Sequence, residues 1–343
     1  MRELRAIAVG CGAMSAAWLR AAAQIDGLEI VGLADLDRER AAAKAAELQL
    51  DVPVAADAVE LIDRLKPDLV FDIVVPEARR DIVLAALRRG CHVLSEKPLA
   101  DTLDRAKELV AAAKAAGKIH AIIQNRRYFP GTRRARRFAM SGAIGPLTAL
   151  HCDFFVGPHF GGFREQMDHV LLIDMAIHTF DLARTIAGAT PVAVYCQESN
   201  PPNSWFKHGG AANAIFEFAD GMIFTYRGSW CAEGLRTSWQ GAWRLIGTRG
   251  TLTWDGEEEF RAERPTDSDE LIRKVEPVPI PPLDPADAVG GHAGVMRDFI
   301  AALRGGSEPE TVSRDNIKSL AMCFAAIESA TTGKRTLLDF ERP

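Results

Sequence analysis

Three groups of residues in this chain have the types and spacing to do chemistry. The first is Gly10-Cys11-Gly12-Ala13-Met14-Ser15, directly after an apolar stretch. Gly10 permits a tight turn, and Gly12 lets the backbone approach a pyrophosphate. The helix that follows offers unpaired N–H groups and the positive end of its dipole. The second is Glu96-Lys97-Pro98, which ends another apolar run. A residue before proline is restricted to extended geometry, so the Lys97 side chain has a defined direction. The third is Asp174 and His178, in Leu172-Ile173-Asp174-Met175-Ala176-Ile177-His178. Positions i and i+4 share one helical face, and Asp181 extends the same polar stripe. A dinucleotide cradle, a lysine, a carboxylate and an imidazole together equip a protein for hydride transfer at nicotinamide C4. An imidazole with a near-neutral pKa suits the accompanying proton transfer.

These residues need elements to position them. Up to residue 123 the chain alternates strand-like and helix-like runs. Strands are expected over 4–9, 29–34, 69–75, 92–94 and 120–123, and helices over 14–24, 37–48, 59–65, 79–89 and 103–116. Thr102 is a plausible N-cap and Gly117 a stop for the last helix. Such alternation implies an α/β Rossmann domain, a parallel sheet with helices on both faces. Ligands on such sheets sit beyond the carboxyl ends of the strands. The cofactor-facing residues are therefore expected to be Gly10, Gly12, Ala13, Met14, Asp35, Arg38, Val75, Pro76, Glu96, Lys97 and Asn125. Asp35 ends the second strand, where a carboxylate accepts hydrogen bonds from ribose hydroxyls and repels a 2′-phosphate. NAD is thus the expected cofactor. Arg38 nearby keeps NADP as the alternative.

The second half is strand-rich, over 148–156, 192–198, 211–218, 222–230 and 243–246. Asp220-Gly221 forms a hairpin turn and 247–254 a further hairpin. An α+β C-terminal domain with an open, mostly antiparallel sheet follows. The boundaries are set at 1–123 for the dinucleotide-binding domain and 124–343 for a substrate-binding and oligomerisation domain.

With the glycine turn, Asp35 and Glu96-Lys97-Pro98 in place, the chain resembles the glucose–fructose oxidoreductase / inositol dehydrogenase (Gfo/Idh/MocA) family over nearly its whole length. Gln124-Asn125-Arg126-Arg127-Tyr128 is similar to the family's entry into the second domain. Gly291-His292 through Leu303 is similar to its late helix. The resemblance implies that Lys97 is catalytic, often before a cis proline, together with Asp174 and His178. It implies oxidation of a secondary alcohol on a sugar, inositol or sugar derivative, or reduction of the ketone. The Lys97 and His178 roles are exchangeable at this level. The substrate-facing set is expected to be Lys97, Tyr128, His159, Arg164, His169, Asp174 and His178, with Trp205, Trp230 and Trp239 as further aromatic candidates. The resemblance also implies a homodimer or homotetramer formed through the C-terminal sheet. The chain departs from the family pattern in three places. Arg80 stands where a histidine is common, and Gln166-Met167-Asp168-His169-Val170 replaces a glycine-rich stretch. The third is Gly157 to Arg164, in which Arg164 stands where members often carry Trp-Arg. These departures bear on the substrate and leave the reaction class intact. A cofactor-recycling, glycoside-processing enzyme and a non-catalytic NAD-binding regulator are the alternatives on the same fold. The intact lysine and histidine weigh against both.

Bulk properties narrow the classes. The chain has 343 residues, 48% hydrophobic and 25% charged, with a net charge of -5. That balance gives no electrostatic footprint for nucleic acid or an acidic membrane. The one dense basic stretch, Arg126 to Arg137, reads as a solvated or ion-paired helix face. The six scattered cysteines include no C-x-x-C, so neither a disulfide framework nor a metal site is expected. Met1 to Arg5 runs into a short apolar stretch rather than a leader, and no run nears the roughly 20 residues of a membrane span. A cytoplasmic location is expected.

Overall fold

The computed structural model describes residues 3–267 and 270–340. The chain forms two compact units. The first runs from the N-terminus to Tyr128 and takes in Ala288–Ile317; the second comprises Phe129–Asp287 and Lys318–Asp339.

The first unit holds strands β1 (Leu4–Val9), β2 (Leu28–Ala34), β3 (Val54–Ala55), β4 (Leu69–Asp72), β5 (His92–Ser95) and β6 (His120–Ile122). They form one parallel sheet in the order β3-β2-β1-β4-β5-β6. Such strands are buried on both faces and read as continuous apolar runs; all four residues of β4 are buried. The order reverses between β1 and β4, the place where nucleotides bind on such sheets. Helices α1 (Ser15–Ala22), α2 (Arg38–Glu47), α3 (Ala58–Leu65), α4 (Pro76–Arg88) and α5 (Leu103–Ala116) connect the strands. Their starts follow capping chemistry. Asp37 and Asp57 accept the first amides of α2 and α3, and Thr102 accepts the Arg105 amide. Gly117 ends α5 in the left-handed region, as its position predicts. The short β3, with little apolar length to announce it, was not expected. Trp18 and Phe71 meet edge to face at 5.6 Å in a core that also contains Phe299.

The second unit begins with α6 (Pro130–Met140). Its sheet contains β7 (Leu147–Phe155), β8 (Pro191–Ser199), β9 (Ala211–Phe218), β10 (Ile223–Ser229), β11 (Ala242–Gly247), β12 (Gly250–Trp254), β13 (Phe260–Pro265), β14 (Val275–Pro277) and β15 (Thr336–Leu337). Only β7 and β10 pair in parallel; the other neighbours are antiparallel. Helix α7 (Ile177–Ala187) covers one face, where Phe180 meets Phe216 and Tyr226 edge-on. On that face Phe216, Phe224, Trp243, Trp254 and Phe260, one from each of five strands, stack in sequence, with centroids 5.4–6.3 Å apart. Each such pair contributes about 0.5–1.5 kcal/mol beyond area burial. The opposite face carries His151, Thr225, Arg227 and Arg244 and forms a groove of about 1100 Å³. Helix α8 (His292–Leu303) belongs to the first unit, and α9 (Ser313–Thr332) starts there and ends in the second.

The basic stretch is tied down. Arg127 reaches the Glu310 carbonyl (2.7 Å) and Asp315 (3.1 Å), Arg134 lies over the Phe260 ring, and Arg137 pairs with Asp287 at 2.6 Å. Among the described residues, no helix is long and apolar enough to cross a membrane.

Candidate active site

In the first unit the glycine turn has the geometry of a cradle. Gly10 lies at φ +95°, and a Cβ there would come within 2.7 Å of the Ile73 carbonyl oxygen, so only glycine fits. A Cβ at Gly12 would meet nothing within 4 Å; the loop is open on that side. Ala13 and Met14 are exposed beside it, and no side chain caps α1. Its first amides are therefore available to an anion. Ser15 stands where a third glycine is usual. It is buried, and its hydroxyl donates to the Gly12 carbonyl at 2.7 Å, closing the turn from within. Cys11 is no nucleophile: burial, with Asp35 beside it, pushes its thiol up to about 11.

Asp35 joins the second strand to this loop. Its carboxylate accepts the Cys11 amide (2.8 Å) through Oδ2 and the Asp37 amide (2.9 Å) through Oδ1. The guanidinium that faces Asp35 belongs to Arg40, at 3.6 Å. Arg38 is exposed at the start of α2. Sequence spacing cannot tell which face of a helix's first turn looks back at the strand end. Val75 is 63% exposed and precedes Pro76, the first residue of α4.

Lys97 follows β5 and is half-buried, with a cis peptide bond to Pro98. Glu96, expected to face the cofactor, is buried. Its carboxylate accepts the Trp18 indole N–H (3.1 Å) and the Lys97 backbone N–H (2.8 Å), with His292 Nε2 at 3.8 Å. Burial alone would raise its pKa. The His292 hydrogen bond, the Lys97 charge and the Trp18 indole outweigh burial and hold the carboxyl below its usual range. Glu96 is thus an anchor for the Lys97 backbone. Asn125 Nδ2 lies 3.4 Å from His292 Nδ1, which places Asn125 in the same group.

Beneath this turn lies a polar network that spacing did not disclose. Arg79 is fully buried; it donates to Asp72 (2.7 Å) and to the carbonyls of Val74 (2.7 Å) and Pro98. Ser95, hydrogen-bonded to Asp72, lies 3.0 Å from His120 Nε2. Arg80, noted above for standing in place of a histidine, is instead bound through two nitrogens to Glu108.

Tyr128, expected at the substrate, is fully buried, and its hydroxyl donates to Asp298 at 2.5 Å. An aromatic residue beside an expected site looks the same in sequence whether it faces a ligand or the core.

In the second unit the helix carrying Asp174 and His178 opens with a π-helical turn, Leu171–Ala176, before α7. Periodicity predicts a plain helix here. Such widened turns recur at functional sites. Asp174 accepts from Arg164 Nε at 2.7 Å. The Arg164 guanidinium lies over the rings of Phe160 (5.1 Å) and Phe163 (4.8 Å). Phe160, Phe163 and Trp239 are 47%, 66% and 42% exposed. Trp230 is buried against Phe160 and Phe206. His159 stacks on Trp205 at 3.8 Å and pairs with Glu233 at 3.1 Å. His169 is drawn toward Glu198 rather than toward Asp174. Asp181 does not extend a polar stripe into a site: it is buried and accepts the Ser319 hydroxyl at 2.7 Å. The exposed Phe160 and Phe163 were legible only as part of a glycine-flanked loop.

Comparison with known proteins agrees with this geometry. Residues 4–124 match the oxidoreductase family with an NAD-binding Rossmann fold, and residues 132–253 match the Gfo/Idh/MocA C-terminal domain. The chain is 28% identical to the 1,5-anhydro-D-fructose reductase of Ensifer adhaerens over 95% of this chain and 96% of that one. It is 27% identical to the D-apiose dehydrogenase of Paraburkholderia graminis over 97% and 89%. Among solved structures, an oxidoreductase from Agrobacterium radiobacter, in complex with NAD+, L-tartaric acid and magnesium, superposes with a TM-score of 0.85 at 21% identity, covering 98% of each chain. By the matches to both of its domains, the chain belongs to the Gfo/Idh/MocA family of oxidoreductases, with an NAD-binding Rossmann fold.

Proposed function

We propose that the protein is a dehydrogenase that oxidises a secondary alcohol of a sugar, inositol or sugar derivative, and in reverse reduces the ketone. The observation that carries this reading is the open glycine cradle at the end of β1 with Lys97 at the end of β5 of the same sheet. The residues fit a dinucleotide: Gly12 leaves space, α1 offers its uncapped amides, and Asp35 offers a carboxylate for ribose hydroxyls. NAD+, when bound, supplies a hydride acceptor. Gly10, Gly12, Ala13 and Met14 would hold its pyrophosphate, with Val75 and Pro76 as further residues that would contact it.

His178 takes the hydroxyl proton as general base. Lys97 donates a hydrogen bond to the reacting oxygen and stabilises the charge that develops there. Asp174, held by Arg164, orients the hydroxyl. Phe160, Phe163 and Trp239 give an apolar shelf on which a sugar face packs, and Arg164 offers it polar contact. Sugar and polyol chemistry also fits the names of the relatives, a 1,5-anhydro-D-fructose reductase and a D-apiose dehydrogenase. The open face of the second sheet suits pairing with a second copy.

The test is nicotinamide absorbance with NAD+ or NADP+ against a panel of aldoses, inositols, anhydro-sugars and sugar acids. Growth of reduced nicotinamide with one class supports the reading and names the class. Bound cofactor that survives purification, with no net reduction by any compound, overturns it in favour of a recycling enzyme.

A further inference from the structure

One cluster in the second unit has no part in that chemistry. His169 lies just before the π-helical turn, Glu198 near the end of β8, and His208 in the loop leading to β9. One ligand atom from each lies within 4.8 Å of the other two. We propose that His169, Glu198 and His208 bind a divalent transition-metal ion of the zinc class.

The donor set fits that class. Two imidazoles and one carboxylate, without thiolate, suit zinc and its neighbours in the first transition row, whereas magnesium and calcium take oxygen ligands. Glu198 contributes one negative charge from a side chain only 7% exposed. Its Oε1 is buried and has no hydrogen-bond partner among the described residues. A carboxylate oxygen buried in that state costs free energy unless something binds it. A cation held by both oxygens of the carboxylate meets that need; the His169–Glu198 hydrogen bond, made through Oε2, does not.

Backbone conformation supports the same reading. His169 lies at φ +54°, a region a non-glycine residue seldom adopts. Such conformations persist where the surroundings over-determine them, often at ligand sites. Gly209 lies at φ +69°, and a Cβ there would collide with Glu198 Oε1 and come within 2.9 Å of the His169 Cα. Glycine thus lets the chain pass over the carboxylate. The His169 amide donates to His208 Nδ1 at 3.2 Å, so that nitrogen is unprotonated; with Glu198 Oε2 3.9 Å away, it binds an ion once this one hydrogen bond gives way. His169 Nδ1 lies 2.5 Å from Glu198 Oε2, and the hydrogen bond between them occupies the place an ion would take. Bonds of about 2.0 Å at tetrahedral angles need donors roughly 3.3 Å apart, so a small spreading of this pair admits the ion. Lys207 does not oppose it; its ammonium is turned to Asp168 at 3.5 Å.

Cysteine spacing predicted no metal site, and it could not have disclosed this one. The two histidines are 39 residues apart, and His169 and Glu198 are 29 apart. Only the sheet and its loops bring them together. Three protein ligands leave a coordination position for water or a substrate oxygen. The ion would also fix the entry to the helix carrying Asp174, since the Leu171 amide donates to the Gly209 carbonyl and the Ile173 amide to that of His169.

The test uses tag-free full-length protein, stripped with chelator and then equilibrated with Zn²⁺ alone. Bound zinc is measured by mass spectrometry after dialysis. The expected result is one zinc per chain, with proton release on binding. His208→Ala and Glu198→Gln should each weaken binding by more than the roughly 10–100-fold that loss of an outer-shell partner costs. His159→Ala, at the separate His159–Glu233 pair, should leave zinc uptake unchanged. His208 is 46% exposed, so its variant keeps the test sound if Glu198→Gln fails to fold. No stoichiometric zinc, equal affinity for Mg²⁺, or zinc uptake unchanged in the folded variants overturns the proposal.

Discussion

Arg164 Nε lies 2.7 Å from Asp174 Oδ2, and its guanidinium sits above two exposed phenylalanine rings. Residues expected to act separately, one on the substrate and one in catalysis, are therefore a pair. A charge-assisted hydrogen bond of this kind contributes about 1.5–3 kcal/mol. Arg164→Met is expected to lower kcat/KM by roughly 10–100-fold through both kcat and KM, with NAD affinity unchanged. A rise in KM alone would assign Arg164 to substrate binding and remove it as the support of Asp174.

Lys97→Met tests the central assignment. Methionine keeps most of the side-chain volume and removes the charge and the donor. Loss of a positioned acid–base or oxyanion group lowers turnover by about 10²–10⁴-fold. The Lys97 backbone amide still donates to Glu96, so the turn should hold and NAD binding, read by fluorescence titration, should stay near wild type. Wild-type turnover in the variant would remove Lys97 from the mechanism.

Cofactor choice rests on Asp35 with Arg40 at 3.6 Å. Asp35→Asn keeps an acceptor for the Cys11 amide and deletes the charge that repels a 2′-phosphate. NAD should bind about 10-fold more weakly, in line with loss of a hydrogen bond to a charged group. NADP should bind more tightly, because Arg40 then faces a phosphate without a competing carboxylate. Isothermal titration of both cofactors decides; an unchanged ratio would show that Asp35 does not select.

Much of this was legible because local chemistry fixed it. The strand–helix alternation, the Thr102 and Gly117 caps and the tight turn at Gly10 all follow from short-range rules, and the structure bears them out. Pairings across the fold were not legible. Arg79 and Arg80 are neighbours in sequence, yet one is sealed against Asp72 and the other turns out to Glu108. Tyr128 and Phe163 are both aromatic residues near arginines, yet one is fully buried and the other two-thirds exposed. Burial at such positions depends on what packs from elsewhere, and single-sequence periodicity carries no record of it. The π-helical turn before α7 was hidden for a related reason: one widened turn leaves the hydrophobic pattern almost unchanged.

Two histidines of the first unit make its stability depend on pH. His120 is fully buried, and burial, aided by the nearby Arg79 charge, lowers its pKa from 6.5 to about 3. Burial likewise lowers His92 to about 4. A depressed histidine pKa in the folded state means that the unfolded chain binds more protons between the two values. Stability contributed by the neutral imidazole is therefore present above about pH 6.5 and is lost as the pH falls toward the folded value. At about pH 5 the loss from His120 is on the order of 2 kcal/mol. For a unit of this size that lowers the melting temperature by roughly 4–8 °C relative to neutral pH. His120→Gln deletes the titrating group and retains a partner for Ser95. It should be less stable at pH 7, because the packing is imperfect, but should show a shallower decline on acidification. Melting curves of both proteins across this pH range separate the two terms. Parallel declines would show that carboxylates elsewhere, not the His120 imidazole under the Lys97 turn, set the acid limit of the fold.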